Sequence, residues 1–141
     1  MSSKLTEPTR VIIPVSKAIE RTTNWRNFLK KNLEEQESWK IPKAVYISKE
    51  DILDLAAACH ADKSIAGVRA YFSLSVPEEE KFRNEIKFVM VLVREEEGMP
   101  AGKDVIYLPG GSSDDDSSVY DFTRPCPDFC DTTSPLFNGD Q

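Results

Sequence analysis

From Lys17 to Glu35, apolar and small residues recur at three- and four-residue steps: Ala18, Ile19, Thr22, Trp25, Phe28, Leu29 and Leu33. That spacing predicts one helix with a single inward stripe. Lys17, Glu20, Arg21, Asn24, Lys30, Lys31 and Glu34 fill its other faces, and Ser16 is a suitable N-cap. Thr22-Thr23-Asn24 is its weak point, three poor helix formers in a row. Residues 1–14 ahead of it read as a frayed arm. A polar connector from Gln36 follows, and Pro42 pushes Ile41 out of helical geometry. Lys43–Ile47 then reads as a short strand. Ser48-Lys-Glu-Asp51 has the form of a capping box with Asp in place of the usual Glu, and the two acids lie at the positive end of the helix dipole. The second helix should end near His60, burying Ile52, Leu55, Ala56 and Cys59.

Three strand patterns come next. In Gly67–Leu74, Val68, Ala70, Phe72 and Leu74 alternate with Arg69, Tyr71 and Ser73, which predicts one dry and one wetter face. Glu85–Val93 is apolar on both faces from Phe88 onward, as in the middle of a sheet. Lys103–Leu108 is the third strand. The connectors Pro77–Glu80 and Glu95–Pro100 are too polar and broken to continue strands, and too short for crossover helices. The expected fold is therefore α+β: an antiparallel sheet of three to four strands, covered on one face by two helices.

Pro109–Ser118 has no apolar residue, and its Gly, Ser and Asp cannot bury enough surface to offset the entropy of ordering them. It marks the expected boundary between a single domain, residues 1–109, and a flexible acidic spacer and tail, residues 110–141. Charge divides at the same place. Of 24 acidic and 18 basic residues, seven Asp and one Arg fall in 110–141, which leaves 17 of each in 1–109. The whole net charge of −6 thus sits on the tail. A neutral body with an acidic tail lacks the basic footprint that a phosphate backbone demands, so nucleic acid is not an expected partner. No apolar run approaches the length of a membrane span, and the N-terminus has no signal core; a cytoplasmic protein without membrane attachment is expected.

Beyond the spacer, apolar side chains return: Tyr120, Phe122, Phe129 and Phe137. Aromatic residues after a flexible spacer have the character of docking anchors, and the dock is the protein's own body, a twin subunit or another protein. The spacer is long enough to reach any of these. Cys126 and Cys130 form C-x3-C, neither a zinc knuckle nor a thioredoxin-type pair. Two thiolates make half of a structural zinc shell. Residues four apart can also form a reversible disulfide, transient in a reducing cytoplasm. The simplest expectation is two free, partly packed thiols and no cofactor. Cys59 lies on the apolar stripe of the second helix and reads as a small hydrophobe. The single histidine, His60, is accounted for by the helix C-terminus. No nucleophile-elbow, zinc-protease, P-loop or dinucleotide motif occurs, and the acidic runs at Glu78–Glu80 and Glu95–Glu97 read as solvated loops. Trp25 reads as core, whereas Trp39 stands in a polar connector as an edge cap or an exposed anchor.

Across Tyr120–Leu136 the chain resembles a group of short bacterial proteins that pair a compact body with a Tyr-Asp…Cys-Pro…Cys…Pro-Leu tail. The segments Asp51–Leu55 and Gly67–Phe72 are similar in layout. The resemblance implies no activity, ligand or site. The expected function is that of a non-enzymatic protein-interaction module whose tail docks. The alternative is a metal- or redox-responsive protein that works through Cys126 and Cys130.

Overall fold

The computed structural model describes residues 4–32, 42–74, 86–125 and 129–139. Among the described residues, three helices and two antiparallel sheets give an α+β fold: α1 (Val15–Asn32), β1 (Val45–Tyr46), α2 (Lys49–Ala61), β2 (Ile65–Leu74), β3 (Ile86–Glu96), β4 (Met99–Val105), β5 (Arg124–Pro125) and α3 (Pro135–Asn138). Short 3₁₀ turns stand at Lys4–Thr6 and Asp114–Asp116. Among the described residues no helix is long and apolar enough to cross a membrane. Trp39, Cys126 and the acidic run at Glu78–Glu80 lie outside the described residues.

The chain divides into two compact units, each built from segments far apart in sequence: Met1–Thr9 with Ile47–Thr123, and Arg10–Tyr46 with Arg124–Gln141. The composition break at Pro109–Ser118 does not coincide with this division. Residues on from it as far as Thr123 stay with the sheet, and the rest joins α1.

In the first unit the strands run in the order β2-β3-β4, each pair antiparallel. β4 starts earlier than its pattern predicts. β3 continues to Glu96, and Glu97-Gly98 turns the chain so that Glu96 faces Met99. Pro100 had counted against a strand here, but β4 is a sheet edge, where a missing N–H costs no ladder bond. Ser48 caps α2 as expected: its Oγ accepts from the Asp51 amide at 3.1 Å and donates to the Asp51 carboxylate at 2.7 Å. Ile52, expected inside, is half exposed, and α2 has no fully buried residue.

The sheet reverses the expected contrast between its faces. Val91 and Val93, the most buried apolar residues described, lie opposite Arg69 and Asp104, on the face expected to be wet. Phe72, on the face expected to be dry, is 79% exposed. Polar heads can face a dry layer when they are paired, because their apolar stems cover it. Arg69 forms an ion pair with Asp104 and donates to the Ala101 carbonyl, and Tyr71 donates to the same carboxylate. Leu5 joins this layer beside Gly102. A Cβ at Gly102 would strike Val93 and come within 2.8 Å of Leu5, and its φ of +80° also favours glycine.

In the second unit β1 pairs with β5, Val45 facing Pro125 and Tyr46 facing Arg124, and α1 packs on α3. The inward stripe of α1 keeps Ala18, Ile19, Thr22 and Leu29 as expected, but takes in Arg26 in place of Trp25 and Phe28. Leu29 and Arg26 are buried, whereas Trp25 and Phe28 are 41% and 57% exposed. Arg26 can occupy the inner face because its guanidinium is satisfied: it donates to the Leu136 carbonyl at 2.8 Å and to Thr23 Oγ at 2.9 Å. Trp25 instead stacks near Phe28 and donates its indole N–H to the Pro42 carbonyl at 2.6 Å.

Candidate functional site

The C-terminal segment begins with a turn rather than an open spacer. The Asp116 carboxylate accepts from Ser113 Oγ at 3.0 Å and from the Ser112 and Ser113 amides. These bonds, the Ser113 hydroxyl first, hold its pKa below the ordinary carboxylate value. The backbone closes the same turn, with Leu108 N–H donating to the Asp116 carbonyl and Gly111 N–H to the Leu108 carbonyl. Gly111 fits because any Cβ there would collide with Asp116. Small polar residues cannot bury much surface, but they can satisfy one another locally, which composition does not show.

Past the turn, the chain rejoins the sheet. Ser118 donates through its amide to the Ile106 carbonyl and through Oγ to the Val105 carbonyl. Tyr120 and Met90 exchange two backbone hydrogen bonds, each 2.9 Å. β4 ends its pairing opposite Leu92, so this segment occupies the part of the β3 edge that β4 leaves open. The rings of Tyr120 and Phe122 lie 5.7 Å apart, both partly buried.

The other two aromatic candidates belong to the second unit. Phe129 stacks on Tyr46 with 6.0 Å between ring centroids, and the Arg124 guanidinium lies 5.3 Å from its ring. Lys43 Nζ lies 3.8 Å from the centre of the Phe137 ring, a cation–π distance. Burial, and after it the charges of Arg26 and Lys30, hold the Lys43 ammonium below its ordinary pKa. α3 is framed by Ser134 as N-cap and by Gly139 in the left-handed conformation, whose amide donates to Pro135 at 2.8 Å. Tyr120 and Phe122 are thus brought together on the sheet, and Phe129 and Phe137 each meet a partner from the β1 region.

Cys130 is disulfide-bonded, which corrects the expectation of a free thiol there; its candidate partner in the sequence reading, Cys126, is outside the described residues. Cys59 is free and half-buried, and burial pushes its thiol pKa up, consistent with a packing role. Among the described residues no group of three or more His, Cys, Asp or Glu is placed to hold a metal ion.

Three contributors escaped the sequence pattern: Arg26, Thr123 and the cluster of Arg69, Tyr71 and Asp104. Arg69 and Tyr71 alternate visibly on one strand face. Their acceptor was hidden because Asp104 stood near the start of a strand whose true beginning is Met99. Comparison with protein-family models, curated proteins and solved structures finds no match to this chain.

Proposed function

We propose that the protein is a non-enzymatic interaction module whose C-terminal segment docks through its aromatic side chains onto its own body. The observation that carries this reading is the pairing of Phe129 with Tyr46 and of Phe137 with Lys43, contacts that tie the end of the chain to the region before α2. Aromatic side chains suit such a task, since each buries a large apolar area at a small entropic cost. The acidic turn, the neutral body and the aromatic contacts support a binding reading. The proposed setting is the cytoplasm, with a protein partner or a second copy and no nucleic acid or membrane.

The experiment is a mixed-isotope NMR measurement on the full chain. Contacts between the Tyr46 and Phe129 rings should appear within one chain and be independent of concentration. Contacts seen only between differently labelled chains would move the dock to a twin subunit, and no contact at all would sink the reading.

A second reading draws on Cys130. A disulfide at Cys130 in a reducing compartment would be a redox-responsive bond, broken and remade with cellular state. Thiol counting with and without reductant tests it. Two thiols gained on mild reduction, with a change in exchange rates around α3, would favour it. No gain, or stoichiometric zinc on both cysteines, would reject the disulfide form.

A further inference from the structure

Asn138 and Gly139 close α3. Of the five asparagines in the chain, Asn138 alone is followed by glycine; Trp25, Phe28, Leu33 and Glu85 follow the other four. A glycine on the C-terminal side leaves the next peptide nitrogen unshielded, so an asparagine can close onto its own backbone, one route by which this residue is thermolabile. The fold fixes that glycine. Its φ is +82°, and a Cβ there would come within 3.0 Å of Arg26 Nη2. Asn138 is exposed, so water reaches it.

The closed helix holds this reaction back. The Gly139 N–H donates to the Pro135 carbonyl at 2.8 Å, and Asn138 Nδ2 donates to the Thr132 carbonyl at 3.4 Å. The attacking nitrogen therefore keeps its proton in a hydrogen bond, and the carboxamide is turned toward another acceptor. α3 has only 4 residues, none of them buried, so a brief local opening costs little. The bond from Arg26 to the Leu136 carbonyl works against that opening.

We propose that Asn138 is a site of spontaneous modification: it deamidates through openings of α3, and its conversion keeps the helix from closing again. Hydroxide takes the Gly139 amide proton, and the nitrogen's electron pair forms a bond to Asn138 Cγ. The Cγ–Nδ2 bond breaks, and the departing nitrogen takes a proton from water and leaves as ammonia. Water then opens the cyclic imide at either carbonyl. One opening gives aspartate; the other gives isoaspartate, in which the main chain runs through the former side chain. The net change is one water consumed and one ammonia released. Either product disturbs the closed turn. Aspartate sets a carboxylate toward the Thr132 carbonyl where a donor stood, and isoaspartate adds a carbon to the backbone ahead of Gly139, whose amide then misses Pro135. The inference needs α3 closed on α1 and not the aromatic contacts of the proposed dock, so it goes beyond that reading and does not depend on it.

The test uses the full chain, incubated in mildly alkaline buffer either folded or unfolded in guanidinium. Peptide mass spectrometry then measures the product at each asparagine. Conversion is expected at Asn138 ahead of the other four, mostly to isoaspartate, and at least about tenfold slower in the folded chain than in the unfolded one. Arg26→Met removes the bond to Leu136 and should speed conversion of the folded chain about tenfold, leaving the unfolded rate unchanged. Ser134→Ala, which removes the N-cap of α3, should act in the same direction. The separated isoaspartyl chain should lose exchange protection at Gly139 and keep it at Val91 and Val93. No product at Asn138 in the folded chain overturns the site. Equal rates in folded and unfolded chains, or a folded rate indifferent to both substitutions, overturn the control by α3. An isoaspartyl chain with Gly139 still protected overturns the effect on closure.

Discussion

The Thr123 hydroxyl accepts from the Phe88 amide at 2.9 Å and lies 3.3 Å from the Phe88 carbonyl, so one side chain meets both backbone groups of a β3 residue that β4 does not reach. Thr123 is 3% exposed. Its hydroxyl here does the work of a ladder partner. Thr123→Val keeps the shape and removes the hydroxyl, leaving a part-buried N–H unmet. We expect a loss of about 1–3 kcal/mol in urea unfolding, with Thr123→Ser closer to the native value.

Arg26 holds the last helical turn from a distance in sequence. Arg26→Met preserves much of the apolar stem and removes the bonds to Leu136 and Thr23. The expected loss is about 1–2 kcal/mol. It should appear locally, as faster exchange of the Gly139 amide, which is bonded to Pro135. Unchanged exchange there would mean that Arg26 does not support α3.

Tyr46 and Phe129 should be energetically coupled. A double-mutant cycle with Tyr46→Ala and Phe129→Ala is expected to give an interaction of about 0.5–1.5 kcal/mol. Simple additivity would mean the stacked rings contribute only their separate burial.

Asp116 makes the acidic turn sensitive to pH. Its folded pKa is held below the unfolded value of about 3.9 by the Ser113 hydroxyl and the two amides. A depressed acid stabilises the turn fully above its unfolded pKa, and that stability is lost as pH falls through the folded pKa. NMR titration should show the Asp116 carboxyl titrating below the ordinary range, with the Ser112 and Ser113 amide shifts following the same curve. Ser113→Ala should raise the midpoint toward the ordinary value.

The α+β class was legible because helix and strand periods are local properties of the chain. Ser48 as the cap of α2 and the course of β2 and β3 follow from spacing alone. What failed depended on distant partners. Arg26 is buried because a carbonyl near the other end of the chain awaits it, and no pattern within α1 encodes that. β4 began earlier than expected because an edge strand tolerates Pro100, and edge status is a property of the sheet. The valine layer on the polar face of β2 became possible only once Asp104 lay across β3 from Arg69 and Tyr71. The four aromatic candidates were visible as aromatics beyond a polar stretch. Their partners, Met90, Tyr46 and Lys43, were not.

Hydrogen exchange on the full chain, compared with Phe129→Ala, tests the docked C-terminal segment most directly. Amides of Phe137, Asn138 and Gly139 should be protected less than those of Val91 and Val93, and Phe129→Ala should accelerate the first group while leaving the second unchanged. Equal acceleration of both groups would show one cooperative core, and the segment would then be ordinary fold rather than a dock.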